Sequence, residues 1–177
     1  MASLADQILA VHDALDRAEI PHAFGGALAL AWCTQQARAT IDIDVNVFVA
    51  PDRAEAVLGA LPDGVTWTDA DVAAIERDGQ VRVWWDETPL DVFANTTAFH
   101  DEVGGRVRRE DFAGERVPFL DCRDLAVFKA FFDRTKDWAD LEAMAEAGSL
   151  DVDAVVGVLA RHLGADDPRI ERLLSLD

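Results

Sequence analysis

The chain has 177 residues, 50% of them hydrophobic, and a formal net charge of -18. This size suits one domain with a small helical annex, and the apolar content is sufficient for a core. No stretch approaches the ~18 consecutive apolar residues of a membrane span, and the N-terminus lacks the features of a signal peptide. We therefore expect a cytoplasmic protein without membrane contact. The acidic balance also disfavours nonspecific adhesion to nucleic acid.

Hydrophobic periodicity predicts the elements of the first half of the chain. Residues 4–19 follow a helical period, and Pro21 terminates this predicted helix. A second short helix follows Gly25-Gly26. Residues 41–49 alternate apolar with acidic or amide side chains, which is typical of a strand with one carboxylate face. Pro51 then opens a third helix.

Alternating strands and short helices continue to residue 119. Thr68 or Asp69 caps a helix that ends near Arg77, and strands 80–85 and 89–94 are close enough in sequence to form a hairpin. Asn95 is a candidate cap for a brief helix. Two further strands are predicted over residues 103–109 and 115–119.

The last third of the chain is predicted to be helical. Asp121 and Asp151 stand where N-cap residues are favoured, and Gly148 stands where a helix ends. We expect an αβ part over residues 1–120 and a helical part over 121–177, packed together as one compact unit.

The two cysteines, Cys33 and Cys122, lie in apolar helical stretches and outside any metal-ligand spacing. We expect both to be buried free thiols, because disulfides are rare in the cytoplasm. The four histidines are scattered along the sequence and indicate neither a metal site nor a general base.

The sharpest motif is the pair of acids in the 41–49 strand. Asp42 and Asp44 alternate onto one face, roughly 6.5–7 Å apart at their Cα atoms. Two such carboxylates favour a cation between them, and Mg²⁺ takes one or two carboxylates together with substrate phosphates. Asp91, isolated in an apolar strand, is the candidate third ligand for two ions, and also a candidate proton acceptor. The alternative for the pair alone is a solvated strand face.

Residues around this pair are candidates for binding phosphate. Gly25 and Gly26 begin a helix, where the backbone is able to approach an anion closely. Arg38 is a candidate phosphate clamp, and Thr40 a hydroxyl donor.

Five arginines cluster between residues 106 and 123, as either a phosphate-binding rim or a solvated set paired with nearby acids. The cluster's members are Arg106, Arg108, Arg109, Arg116 and Arg123. Trp84-Trp85 is the one aromatic pair that we expect to expose a ring near Asp91.

Together these residues resemble the polymerase-beta-like nucleotidyltransferase superfamily. The superfamily pattern is a Gly-Gly helix start, a strand with Asp-x-Asp and a third Asp on a later strand. The segment HAFGGALALAWCTQQARATIDIDVNVFV resembles in particular the branch of AbiEii/AbiGii-type toxins of toxin–antitoxin systems.

A second block, RVPFLDCRDLAVFKAFFDRTKDWADLEAM, carries the same resemblance. Its matching residues are Pro118, Asp124, Leu125, Lys129, Arg134, Lys136, Asp137 and Asp140. The resemblance implies that Lys129 lies near the triphosphate, with Arg134, Lys136 and Asp137 as further nucleotide-binding residues. From the residues themselves, Lys129 either extends to solvent or meets an anion, and Arg134 and Lys136 are equally suited to structural pairs with Asp137 and Asp140.

The resemblance implies an α+β fold, a nucleotidyltransferase-like mixed sheet flanked by helices and followed by a C-terminal helical part. It implies a catalytic and metal-binding triad of Asp42, Asp44 and Asp91, with two Mg²⁺ ions when NTP is bound. The expected activity is transfer of a nucleoside monophosphate from NTP to a hydroxyl on an RNA 3′ end, a protein or a small molecule.

Net charge and the resemblance also bear on the biological role and the partner. The net charge disfavours RNA, and the toxin branch implies an antitoxin protein as a partner. The alternative is a non-catalytic module of the same fold that binds nucleotide or a partner.

Overall fold

The computed structural model describes residues 2–176, which form two compact units. The first unit contains Met1–Leu28 and Ala39–Leu120, and the second contains Ala29–Arg38 and Asp121–Asp177. The second unit thus adds residues 29–38 to the range that we expected to be helical. That the chain forms one compact unit stays a prediction.

Helices and strands are interspersed along the first unit, and the second unit is helical. The strands are β1 His22–Phe24, β2 Ile43–Val47, β3 Val65–Thr66, β4 Gln80–Trp85, β5 Thr88–Ala94, β6 Arg108–Phe112 and β7 Glu115–Phe119. The helices are α1 Leu4–Arg17, α2 Gly26–Thr34, α3 Ala54–Ala60, α4 Asp69–Asp78, α5 Ala98–Gly104, α6 Cys122–Phe132, α7 Thr135–Glu146, α8 Val152–Leu163 and α9 Pro168–Leu174, and a 3₁₀ turn, Pro51–Arg53, precedes α3.

The strands form one mixed sheet in the order β3-β4-β5-β2-β1-β7-β6. The pairs β2–β5 and β1–β7 are parallel, and the other neighbours are antiparallel. Helix α1 packs against β1 and β7, and α4 packs against β4. The predicted fold class, a mixed sheet with flanking helices and C-terminal helices, is therefore confirmed, as is the β4–β5 hairpin.

Two strands, β1 and β3, were not predicted, and one helix and one further strand begin at other residues than predicted. Strand β1 has three residues, all buried, so it shows no alternation, and β3 has only two residues. Helix α5 begins after Thr97 and not after Asn95, and the backbone N–H of Thr97 donates to His100 Nδ1 over 3.2 Å at this helix start. Residues 103–107 are therefore not part of β6.

The second unit is built on α6, which packs against α7 and α8, while α9 packs on α8. As predicted, Asp121 caps α6 by accepting the backbone N–H of Arg123, and Asp151 caps α8 by accepting that of Ala154. Among residues 2–176, no helix combines the length and the apolar character that crossing a membrane requires.

The prediction of two free thiols is wrong, because Cys33 and Cys122 form a disulfide. Cys33 lies near the end of α2 and Cys122 is the first residue of α6. Their Cα atoms are 5.6 Å apart although 89 positions separate them in sequence, and this Cα separation is common for a disulfide. Two cysteines this far apart in sequence carry no local signal that they pair.

Two of the histidines, which looked scattered, form a buried pair in the first unit. His12 Nδ1 lies 2.8 Å from His22 Nε2, and His22 Nδ1 lies 2.8 Å from the backbone oxygen of Ile20. Both contacts are satisfied when each neutral ring donates from Nδ1. Burial lowers the pKa of His22 below its usual value of 6.5, and the nearby His12 lowers it further.

We expect the stability of the first unit to fall as the pH drops below about 6.5. The unfolded chain binds a proton at His22 more readily than the folded chain does, so acid favours unfolding, by at most ~1.4 kcal/mol per pH unit for one group. Urea unfolding between pH 5.5 and 7.5, followed on α1 and β1 amides by hydrogen exchange, measures this dependence.

His22→Gln should flatten the dependence, whereas His162→Gln, at an exposed position, should leave it unchanged. An unchanged pH dependence in His22→Gln would contradict the assignment.

Candidate active site

Three strands place acidic and basic residues in one row across the sheet. Asp44 on β2 faces Asp91 on the parallel strand β5, and Asp91 faces Arg82 on the antiparallel strand β4. Facing residues of neighbouring strands project to the same side of the sheet. Asp42 immediately precedes β2, two residues before Asp44. The structure therefore brings the predicted aspartates to one region, together with an arginine that the sequence analysis missed.

Arg82 binds Asp91 through two hydrogen bonds. Its Nε donates to Asp91 Oδ1 over 2.7 Å and its Nη2 donates to Asp91 Oδ2 over 2.6 Å. The same Nη2 lies 3.6 Å from Asp42 Oδ2. The bonds to Asp91, followed by the charges of Asp91, Asp42 and Asp44, raise the pKa of Arg82 above its already high value. Arg82 is therefore a permanent positive charge among the three acids.

The two glycines fit closely against Asp44. The backbone N–H of Gly25 donates to the backbone oxygen of Asp44 over 2.9 Å. Gly26, the first residue of α2, has φ +53°, and a Cβ there would lie 1.9 Å from Asp44 Oδ2. Glycine is thus required for both backbone conformation and space. The result is a carboxylate seated at a helix N-terminus.

The donor set at Asp42 and Asp44 fits one Mg²⁺. Carboxylate oxygens are the ligands that Mg²⁺ prefers, and both side chains are half-buried. Asp44 Oδ2 occupies the space that a Cβ at position 26 would take. The third acid is already bonded to Arg82. Within residues 2–176, no group of three His, Cys, Asp or Glu side chains is arranged to hold a metal ion. The predicted triad with two ions stays a prediction.

Thr40 and Arg38, which lead into the acidic strand, make different contacts. In the first unit, the Thr40 hydroxyl accepts the backbone N–H of Asp42 over 3.2 Å and so orders the approach to β2. In the second unit, Arg38 binds both carboxylate oxygens of Asp140, with its Nη1 2.6 Å from Oδ1. A phosphate-binding role for either residue is a proposal.

Lys129 meets an anion within its own unit. Its Nζ donates to Asp140 Oδ2 over 2.6 Å and lies 3.7 Å from Asp137 Oδ1. Arg134 also binds Asp137, with its Nε 2.6 Å from Oδ2 and its Nη2 3.2 Å from Oδ1. Lys129, Asp137 and Asp140 are all buried, while Arg134 is exposed. The structure thus shows salt bridges from Lys129 and Arg134 to nearby aspartates, which is one of the alternatives given for these residues above.

The remaining predicted nucleotide-binding residue of the second unit is Lys136. This lysine is exposed on the first turn of α7. Nucleotide contact by Lys129, Arg134, Lys136 or Asp137 stays a proposal.

Members of the arginine cluster pair with acids on the sheet. Arg108 binds Glu110 over 2.7 Å, and Arg116 lies 3.5 Å from Asp111. These pairs match the alternative of a solvated, charge-paired strand face. Trp84, two residues after Arg82 on β4, is 45% exposed, which confirms the prediction of one exposed ring.

The fold is shared with two solved structures along nearly all of this chain. The antibiotic-resistance factor ANT(2'')-Ia matches with a TM-score of 0.60 and 16% identity, over 98% of this chain and 97% of that chain. An antigenic nucleotidyltransferase-like protein from Paracoccidioides brasiliensis matches with a TM-score of 0.56 and 12% identity, over 97% and 85%. No curated protein matches the sequence.

At these identities the likeness to the two structures shows the fold alone. The sequence profile of a family described as "Nucleotidyltransferase of unknown function" (DUF6036) matches residues 1–167. The profile spans both units of the chain. The protein therefore belongs to this nucleotidyltransferase family.

Proposed function

We propose that the chain is a Mg²⁺-dependent nucleotidyltransferase that moves a nucleoside monophosphate from NTP to a hydroxyl acceptor. The observation that carries the proposal is the seating of Asp44 against Gly26 at the start of α2. A metal-binding carboxylate there adjoins a helix N-terminus, whose backbone N–H groups favour anions. The family and the fold support nucleotidyl transfer in general.

In this proposal the acceptor oxygen attacks the α-phosphorus of NTP. The bond between that phosphorus and the bridging oxygen breaks, and pyrophosphate leaves with the electron pair. Asp42 and Asp44 would hold Mg²⁺, which when bound would neutralise charge on the phosphates and polarise them. Each Asp91 oxygen accepts one bond from Arg82, which leaves a lone pair on each to receive the hydroxyl proton.

One observation favours a second candidate, a nucleotide-binding module without turnover. Asp91, the proposed proton acceptor, is already bonded at both oxygens to Arg82. A protein that needed only to bind Mg²⁺ and NTP would lose nothing by this arrangement. The two candidates differ in one measurable property, the release of pyrophosphate.

The resemblance to AbiEii/AbiGii-type toxins supports a finer proposal about the acceptor and the partner. It makes an RNA 3′ end an acceptor to test, and an antitoxin protein a partner to seek. The net charge of -18 opposes RNA binding unless a local basic surface compensates. Protein hydroxyls and small-molecule hydroxyls are therefore tested in parallel with RNA.

We expect label from one of the four α-³²P-NTPs to be transferred to an acceptor in a cell extract when Mg²⁺ is present. Asp44→Asn should lower the transfer rate ~100-fold or more, because the metal's charge stabilisation is worth several kcal/mol. Separate RNA, protein and small-molecule fractions identify the acceptor, and release of pyrophosphate measures turnover.

Two matched pairs of variants separate local from general effects. Asp111→Asn removes an exposed acid elsewhere in the sheet and should leave the rate unchanged. Gly26→Ala, which directs a methyl group into the Asp44 carboxylate, should lower the rate at least about tenfold, whereas Gly59→Ala, whose Cβ meets nothing within 4 Å, should not. NTP binding without pyrophosphate release would establish the binding module instead.

A further inference from the structure

The three acids of the candidate site share one fixed cation. Arg82 holds both oxygens of Asp91 at 2.6 and 2.7 Å and places the same guanidinium 3.6 Å from Asp42. The contact is built into the sheet, since Arg82 and Asp91 are direct partners in the β4–β5 register. A guanidinium bound through two parallel N–H bonds has a defined position as well as a charge.

The position of Arg82 disfavours a second divalent ion at Asp91. Its guanidinium holds both oxygens of Asp91 at hydrogen-bond distance, whereas it approaches Asp42 only to 3.6 Å. A second divalent ion at Asp91 would lie next to the guanidinium, and like charges a few ångström apart repel.

We propose that Arg82 replaces a second metal ion in this site, so that the protein binds one divalent ion at Asp42 and Asp44 and uses the guanidinium as the cation at Asp91. The inference rests on the proposed function and changes it in one respect, the number of ions. It makes Arg82 a residue that positions Asp91 and neutralises charge beside the phosphates.

Asp91 is less exposed to solvent than Asp42. The Asp91 side chain is 18% exposed and that of Asp42 is 33% exposed, so Asp91 is the acid that more needs a partner. Arg82, 47% exposed, reaches it from the solvent side. Arg82 therefore stabilises the less exposed carboxylate, Asp91, without a metal ion.

The test measures Mn²⁺ bound to the purified chain by electron paramagnetic resonance of free Mn²⁺. With one equivalent of a nonhydrolysable NTP analogue we expect one bound ion per chain, and two would overturn the inference; the variants are compared without nucleotide. In the wild type, Asp44→Asn should abolish the strongest site and Asp91→Asn should leave its affinity within about twofold. Arg82→Ala should tighten Mn²⁺ binding at least about fivefold, and in that background Asp91→Asn should reverse the gain. Arg82→Gln serves the same purpose if Arg82→Ala fails to fold.

Arg77→Ala is the matched control, because it removes an exposed arginine that pairs with Asp78 on α4. It should leave Mn²⁺ binding unchanged. If Asp91→Asn weakens wild-type binding as much as Asp44→Asn does, Asp91 is a metal ligand and the inference is overturned while the proposed function stands. If no Mn²⁺ binding depends on Asp44, the metal dependence of the proposed function fails, and the inference fails with it.

Discussion

Replacing Lys129 by methionine is expected to lower the free energy of unfolding of the second unit by about 3–5 kcal/mol. The ammonium group is buried and lies 2.6 Å from Asp140 and 3.7 Å from Asp137, whose side chains are 3% and 2% exposed. Without it, two buried carboxylates depend on Arg38 and Arg134 alone. Those arginines are 52% exposed, so they offset only part of the loss. Urea unfolding, followed by hydrogen exchange over α6 and α7, measures the change.

The chain provides its own control, since Lys136 is the only other lysine. Lys136→Met, at an exposed position, should change the stability by less than about 0.5 kcal/mol. The double variant Lys129→Met/Asp140→Asn should recover part of the loss, because it removes one of the unpaired charges. Equal stability of the two lysine variants would show that the buried pairs contribute nothing net.

Removing the Cys33–Cys122 disulfide is expected to lower the free energy of unfolding of the whole chain by about 4–5 kcal/mol. The bond closes a loop of 89 positions, and the chain-entropy estimate for a loop of this length gives about that value. The double variant Cys33→Ser/Cys122→Ser and reduction of the wild type should have similar effects. Chemical unfolding with and without a reductant measures them, and intact mass establishes the redox state.

The double serine variant also serves as the control for the reductant. Its unfolding midpoint should not change when the reductant is added, because no disulfide remains within residues 2–176. A reduced wild type as stable as the oxidised protein would show that the bond only joins segments already held by packing.

Periodicity was sufficient for most of the fold but not for the shortest strands. Helix α4 and strand β4 follow the predicted ranges closely, because capping residues and alternation are local signals. Strand β1 is buried at every position and pairs with β2 and β7, so its identity depends on partners distant in sequence. The assignment of residues 29–38 to the second unit depends likewise on contacts that the sequence does not display.

The candidate site was partly predictable for the same reason. Asp42, Asp44 and Asp91 were found because carboxylates in apolar strands are conspicuous, whereas Arg82 resembled any other solvated strand residue. The signal for Arg82 was nevertheless present in the hairpin. With Trp85 and Thr88 paired across a two-residue turn, the register places Arg82 opposite Asp91. The His12–His22 and Lys129–Asp140 pairs had no comparable signal before the helices and the strand that carry them were positioned.

The close fit of Gly26 against Asp44 has a consequence for comparing members of this family. A side chain at position 26 and an aspartate at position 44 compete for the same volume, since a Cβ would lie 1.9 Å from the carboxylate oxygen. The two positions are therefore expected to change together over evolutionary time. A homologue that has exchanged this glycine for a larger residue will also have abandoned the acid, and the pair can serve to sort homologues that keep the chemistry from those that have lost it.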